Sequence, residues 1–540
     1  MRRAIPSQYL VLLFSVILML AYNNGLWGGI VQANQLITQH NLLFLGSCAI
    51  FMTALFNLIF NLVSSRYLIK PILIFIVLCS AAASYFIDSY GVHIDSSMIQ
   101  NVLETDTAET KELLSQDFII HFLLWGVLPA FLIAKLRIAH VRWTKQLLMS
   151  SFSITMSILA MGLVAAFFYQ DYASTFRNHR DLRYLINPTS YIYAVTKIAK
   201  QQFAEADKPL IPISQNAALG SFAHEKKHRT VTVMVVGETA RAESFHLNGY
   251  ERETTPELEK TNSLYFNNVS SCGTATATSV PCMFSQFSRD DYDDEKGHGY
   301  ESVLDAISAA GVKVSWLDNN SGCKGVCDRV EHQKVTEVNL AELCPDGECY
   351  DEVLLTNLKA LVAKSDGDQL IVLHQKGSHG PAYFKRVPAA FEKYKPVCQT
   401  SELQKCSNEE LRNAYDNTIL YTDHVLAQLI QYLDNLSSQS IDTAMIYVSD
   451  HGESLGEHNL YLHGTPYFAA PSQQTHVPMV VWLSDNYERD YHINPLCMKN
   501  ETGKAVSHDN IFHSLLGMNN VLLPGKYDPA LDIFASCQHS

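Results

Sequence analysis

Eight side chains of metal-ligand type stand just behind apolar runs in the C-terminal part of the chain: Glu238, His374, His379, Asp450, His451, Glu453, His458 and His463. A single histidine in such a place is more often a hydrogen-bonded structural residue. The recurrence behind several runs favours a metal centre. Carboxylate with imidazole suits Zn²⁺ or Mn²⁺ better than Mg²⁺. Asp450 and His451 are adjacent, so they share an ion only where the chain turns sharply, and Gly452 follows them. Glu238, behind a different run, can complete the set. A nucleophile would come from the small, hydroxyl-rich segment Ser271 to Cys282, which reads SCGTATATSVPC and is bracketed by cysteines. A free hydroxyl is a poor nucleophile near neutral pH, and metal coordination activates it.

The elements that must position these groups alternate. Apolar, β-rich runs occur at Thr230–Val236, Val312–Leu317, Leu370–Leu373, Ala444–Val448 and Val477–Leu483, with helical patterns between them. Continuous apolar strands alternating with helices predict an α/β domain with a mostly parallel sheet. Ligands of such folds sit beyond the carboxyl ends of the strands. Glu238 follows the first run, and Asn320, Ser321 and Lys324 follow the second. His374 and His379 follow the third, and Asp450, His451, Glu453 and then His463 follow the fourth. Lys324 is a natural point-charge partner for phosphate oxygens.

The whole chain has 540 residues, 47% apolar and 17% charged, with net charge -14. A mean hydropathy of +0.00 excludes a disordered chain, and the acidic balance argues against a nucleic-acid partner. The charge is unevenly placed: from Ala4 to Ser65 there is no Asp, Glu, Lys or Arg. Spanning a bilayer takes about 20 apolar helical residues. Five segments fit, at about 8–28, 42–63, 69–88, 118–137 and 147–169, and Asn23 and Asn24 interrupt the first. Arg2, Arg3, Arg66, Lys70, Lys135, Arg137, Arg142 and Lys145 lie on one side of these crossings, whereas the other two loops hold only Lys111. The positive-inside rule then places the N-terminus in the cytoplasm and everything after residue 170 outside. In a Gram-negative cell that is the periplasm. The expected organisation is a transmembrane domain over 1–170, a connection over 171–229 and an exported catalytic domain over 230–540. In the connection, Ser190–Phe203 alternates apolar residues with Lys197 and Lys200, as a membrane-surface helix would.

Cysteine usage agrees with export. Cys48 and Cys79 lie in spans, and the other ten lie beyond residue 270. An even number crowded into an exported domain reads as disulfides. Neighbours in sequence are the economical pairing: 272–282, 323–327, 344–349, 398–406 and 497–537.

The chain resembles the phosphoethanolamine–lipid A transferases of Gram-negative bacteria, which include the mobile colistin-resistance enzymes. The resemblance rests on the five spans, the loop from Met98 to Lys111, and the blocks VVGETAR, SCGTATATSVPCMFS, GSHGPAYFKR and YVSDHGESLGEHNLYLHGTP. It implies an alkaline phosphatase/sulfatase-type catalytic domain. Thr276 matches the family's nucleophilic threonine. Glu238, Thr276, Asp450 and His451 match the ligands of a tightly held zinc. His379 and His463 match residues that bind substrate phosphate or a second zinc. Thr274, Asn320, Ser321 and Lys324 match polar groups around the phosphoethanolamine, and Asn101 and Glu109 match residues proposed to hold its ethanolamine head or the lipid donor. Glu453 matches a position within the family's motif. The disulfides of the family match the neighbour pairings, with Cys323–Cys327 absent from some members.

The resemblance further implies transfer of phosphoethanolamine from phosphatidylethanolamine to a lipid A phosphate through Thr276. The enzyme would be a monomer of the inner membrane, and its product would weaken electrostatic binding of polymyxins. The alternatives keep the fold. One uses a lipopolysaccharide core sugar or periplasmic glucan as acceptor, and the other uses water, as a sulfatase or phosphodiesterase does.

Overall fold

The computed structural model describes residues 4–33, 39–65, 67–105, 107–139, 141–205, 209–335 and 342–538; Arg2, Arg3 and Arg66 lie outside them. Two units emerge: Met1–Ile99 with Leu113–Ile198, and Gln100–Glu112 with Ala199–Ser540.

Among the described residues of the first unit, four helices are long and apolar enough to cross a membrane: His40–Leu62, Ile69–Tyr90, Gln116–Lys135 and Trp143–Phe167. The expected first span is a bent pair, Ser7–Ala21 and Asn24–Ala33, with an angle of 57° between its halves. The bend lies where the two asparagines interrupt the apolar run, and its cause is a hydrogen-bond exchange. The buried Asn23 amide donates to the carbonyls of Leu18 and Asn187, each at 2.9 Å. Asn187 answers with its backbone N–H to Asn23 Oδ1 at 2.8 Å. Its own amide donates to Tyr22 O at 3.2 Å and Ser80 O at 2.9 Å. In an apolar medium backbone groups freed by a helix break must be re-satisfied, and this asparagine pair does so. Helix Gln116–Lys135, the fourth of the five expected spans, carries a π-helical stretch at Phe122–Val127. Basic segments gather at one end of the unit: Ile5 N–H bonds Arg137 O at 2.9 Å, and Lys70 Nζ bonds Ala134 O at 3.0 Å. Helix Thr189–Glu205 covers the stretch expected to be amphipathic. It buries Tyr191, Ala194 and Ile198 and exposes Lys197 and Lys200.

The second unit is built on a seven-stranded sheet. We number its strands β1 (Thr230–Gly237), β2 (Leu264–Phe266), β3 (Lys313–Asp318), β4 (Glu331–Lys334), β5 (Gln369–His374), β6 (Asp442–Ser449) and β7 (Met479–Leu483), in the order β2-β7-β6-β1-β5-β3-β4. Among the described strands of this sheet β7 alone runs opposite to the other six, antiparallel to both β2 and β6. The sheet is therefore mostly parallel, as the apolar runs predict. β1, β5 and β6 are buried along their whole length, the burial expected of central strands between helical layers. The sequence pattern gives no sign of β4, whose Glu-His-Gln-Lys side chains are all exposed at the sheet edge. All five neighbour disulfides are present, and the free cysteines among the described residues are Cys48 and Cys79.

Replacing Asn187 with alanine keeps its backbone bonds to Asn23 but strands the buried carbonyls of Tyr22 and Ser80. An unmade buried hydrogen bond costs about 1–3 kcal/mol. Asn187→Ala should therefore lower the thermal unfolding midpoint in detergent by several degrees, read by tryptophan fluorescence, and an unchanged midpoint would remove the Asn187 side chain as a support of the bend.

Candidate active site

β1 and β6 are parallel neighbours with Gly237 opposite Ser449, so the next residues, Glu238 and Asp450, emerge side by side. Both are buried, Glu238 at 1% exposure and Asp450 at 0%. The turn after β6 swings His451 to the same spot. Its Nε2 lies 3.5 Å from Glu238 Oε1 and 3.3 Å from Asp450 Oδ2. Its Nδ1 is 2.9 Å from the Gly452 carbonyl, which fixes the proton there and leaves the Nε2 lone pair facing the carboxylates.

Thr276 completes the cluster. It opens the helix Thr276–Met283, within the segment held by Cys272–Cys282. Its hydroxyl lies 3.3 and 3.2 Å from the two Glu238 oxygens and 3.3 Å from His451 Nε2. Ser279, one turn along, anchors the helix by donating to the Asp450 carbonyl. The helix therefore presents Thr276 at its positive end, where developing oxyanion charge is favoured.

Ligand atoms of Glu238, Asp450 and His451 all lie within 4.8 Å of one another, close enough to share one ion. The hydrogen bonds around them leave a site open. Asp450 Oδ1 accepts from the N–H groups of Thr239 at 3.1 Å and His451 at 2.7 Å. Its Oδ2 is buried without a hydrogen-bond partner among the described residues, an expensive state that a cation relieves. Glu238 accepts from Asn320 Nδ2 at 2.6 Å and from Thr239 Oγ1 at 2.5 Å. Without a cation the two carboxylates cannot share the negative charge. Burial and the Glu238 charge push Asp450 well above the carboxylate range. Burial opposes ionisation of Glu238 as well, but His451, His379 and the Thr239 hydroxyl outweigh it and hold that group low. Burial depresses His451 to about 3, so its imidazole is neutral and fit to bind metal.

The remaining expected residues surround this centre. His463 packs its ring 4.4 Å from His451 and 6.0 Å from His379. Its Nδ1 lies 3.3 Å from buried Glu453. That partnership gives Glu453 a positioning contact. His379 is buried, with Nδ1 lacking a hydrogen-bond partner among the described residues and Nε2 3.8 Å from Glu109. Thr274 donates its hydroxyl to Thr465 O at 2.7 Å. Lys324 Nζ reaches Glu104 at 3.2 Å and Ser321 O at 3.3 Å. Asn101 uses its carbonyl to cap Thr105, accepting from its N–H at 2.8 Å and hydroxyl at 2.7 Å.

Two histidines of the original eight do not join the cluster. His374 is buried against Asp318 through Nδ1 at 2.9 Å, and Asp318 also accepts from Trp316 Nε1 at 2.9 Å. His458 is exposed. Sequence reading also leaves out a buried ion pair, Arg386 to Glu112 at 2.6 Å, with side chains 2% and 3% exposed. Arg386 also bonds Glu348 at 2.9 Å and His379 O at 2.8 Å. Its place in the GSHGPAYFKR block was the available signal.

Residues 230–521 match the sulfatase family, and residues 52–203 match the phosphoethanolamine transferase EptA/EptB family. The chain is 41% identical to phosphoethanolamine transferase EptA of Escherichia coli (strain K12) across 98% of this chain and 96% of that protein. The chain belongs to the phosphoethanolamine transferase family. Another member of the family, phosphatidylethanolamine transferase Mcr-1 of Escherichia coli, is 40% identical over 96% of both chains. The solved structure of the integral membrane lipooligosaccharide phosphoethanolamine transferase A (EptA) of Neisseria meningitidis superposes with a TM-score of 0.96, 36% identity and full coverage of both chains.

The buried carboxylates give this transferase an inverted stability response. Asp450→Asn removes the like-charge conflict, so the metal-free variant should melt above the metal-free wild type. With a divalent metal added the order should reverse, because the wild type gains binding energy and the variant gains much less. Calorimetry with and without chelator checks both arms; a variant less stable in both would mean that the conflict is not felt.

Proposed function

We propose that the chain transfers phosphoethanolamine from phosphatidylethanolamine to a phosphate of lipid A, through a phosphoethanolaminyl intermediate on Thr276. The observation that carries this reading is the Thr276 hydroxyl, held 3.2–3.3 Å from both Glu238 oxygens and His451 at a helix N-terminus. A nucleophile and a carboxylate–imidazole set at one point are what a two-step group transfer requires.

Glu238, Asp450, His451 and Thr276 would hold one metal ion, and their ligand types fit zinc. When bound, zinc lowers the pKa of a coordinated hydroxyl and offsets charge on phosphoryl oxygens. The chain's own groups do the rest. Thr276 Oγ forms a bond to phosphorus and the bond to the diacylglycerol oxygen breaks. A lipid A phosphate oxygen then attacks and Thr276 leaves. His379 and His463 are the proton carriers for the two departures. Lys324, Ser321, Asn320 and Thr274 hold the phosphoryl oxygens, and Glu109 with Asn101 takes the ammonium end.

Both substrates are lipids, which explains why a hydrolase-like domain is joined to crossing helices. The basic residues at one end of the first unit support a cytoplasmic N-terminus and a periplasmic catalytic domain over 230–540, connected by 171–229. The product replaces phosphate charge with a terminal ammonium and weakens polymyxin binding. A lipooligosaccharide-directed relative supports an acceptor of this class.

The test is mass spectrometry of lipid A from a host expressing the wild type or Thr276→Ala. The wild type should add phosphoethanolamine to lipid A phosphate and raise polymyxin tolerance. Thr276→Ala should reach the membrane in equal amount and add none. Modification of core sugar or glucan alone would move the acceptor, and free ethanolamine phosphate without modified lipid A would make the protein a hydrolase.

A further inference from the structure

Within the first unit, the bend of the first span and the π-helical stretch of the fourth face the same space. A cavity of about 470 Å³ opens there, lined by Leu20, Asn24, Tyr85, Asp88, His121 and Trp125. Asn24 begins the second half of the bent span, and Trp125 sits inside the π-helical stretch Phe122–Val127. The two irregularities are tied together, because Tyr22 Oη donates to Trp125 O at 2.6 Å. π-bulges and helix breaks of this kind recur at functional sites.

The cavity has the chemistry of an ammonium site. Asp88 lies near the end of span Ile69–Tyr90 and is the one acidic residue in it. It accepts from Asn24 Nδ2 at 3.2 Å and Gly25 N–H at 3.0 Å, which points its carboxylate at the cavity's Asn24 edge. Among the described residues no lysine or arginine pairs with it. Asp88 is exposed in the last turn of its helix, so its carboxylate is open to a cationic ligand. Three aromatic rings share the cavity wall with it and pack on one another, Tyr85 with His121 at 5.6 Å and His121 with Trp125 at 6.5 Å between ring centres. A carboxylate beside aromatic faces is the recognition chemistry of an organic ammonium.

The surroundings suit a lipid. Leu20 also lines a separate apolar groove of about 960 Å³ along the spans, with Leu12, Val16, Ile50 and Phe152 among its walls. A small polar cavity and a long apolar groove that share a wall match a headgroup and its chains. The second amide hydrogen of Asn24 is a donor for the adjoining phosphate.

We propose that this cavity binds the headgroup of an ammonium-bearing phospholipid and is a docking position for the donor within the membrane unit, separate from the residues of the catalytic site. The assignment of that lipid as donor rests on the function proposed above. The site explains why a carboxylate is retained at the end of an otherwise apolar span, and why two helices depart from regular geometry at one level.

The test uses the full chain in detergent, with native mass spectrometry against dioleoyl phosphatidylethanolamine and dioleoyl phosphatidylglycerol. The wild type should prefer phosphatidylethanolamine, and Asp88→Asn should lose that preference through a drop in its affinity of about tenfold, the size of a desolvated cation contact. Trp125→Leu, which keeps an apolar side chain on the lipid-exposed helix, should lose it as well. Asp171→Asn, a charge change outside the cavity, should keep it. In mixed micelles the KM for phosphatidylethanolamine should rise in the two cavity variants by the same factor. Equal binding of the two lipids by the wild type, or a preference that survives both cavity variants, overturns the headgroup site even where transfer to lipid A proceeds. Selective binding that depends on Asp88, in a wild type that transfers nothing to lipid A, sustains the site and overturns the proposed function instead.

Discussion

Two carboxylates emerging side by side from a buried parallel strand pair set the terms for the catalytic unit. The register that places Gly237 opposite Ser449 makes Glu238 and Asp450 neighbours at no exposure to water. Ion pairs are weakly screened in such surroundings, so like charges there are costly. The neighbouring groups reduce that cost only in part. Thr239 and Asn320 donate to Glu238, and two backbone N–H groups hold one oxygen of Asp450. The other oxygen of Asp450 is left over. The protein thus keeps an electrostatic conflict in its core whose natural resolution is a divalent cation. Around that point stand the neutral imidazole of His451 and the hydroxyl of Thr276.

A second set of charges fixes the segment Gln100–Glu112 within the same unit. Glu104, Glu109 and Glu112 each face a different basic group: Lys324, His379 and Arg386. Glu109 and Glu112 are three apart on helix Thr107–Leu113, so they share a face. The Arg386–Glu112 pair is almost fully desolvated, and breaking such a pair costs far more than a surface bridge. Arg386 also holds the His379 carbonyl. One guanidinium thereby links the segment carrying Glu109 to the backbone of His379. At Lys324 the contact is of a different kind. Glu104 occupies the ammonium at 3.2 Å, so a phosphate arriving there exchanges one anion for another. The segment consequently bears on charge balance at the site as well as on shape.

How much of this was legible in the sequence depended on the range of each interaction. The central strands announce themselves because both faces are buried, and β4 is silent because all its side chains meet water. Asp450 and His451 were legible as a pair because adjacency, a strand end and Gly452 constrain one another. His374 and His458 share that residue chemistry, yet one is bound to Asp318 and the other is exposed. Residue type alone does not separate ligand from neighbour. Glu112 was invisible because its partner lies 274 positions away, and no local pattern encodes a contact at that range.

The membrane unit carries this furthest. Asn23 and Asn24 marked an interruption in the apolar run, but not that Asn187, 164 positions on, closes the freed hydrogen bonds. Asp88 closes the apolar run 69–88, and a carboxylate near a helix end is ordinarily no more than a polar boundary. What changes its meaning is geometry with no compositional trace: a 57° break in one helix and a π-helical stretch in another, brought to one level. Hydropathy counts residues along one helix at a time. A site formed where two helices depart from regularity together is visible only once the packing is known. Asp88 is informative there because its exposed carboxylate lines the cavity where the two departures meet.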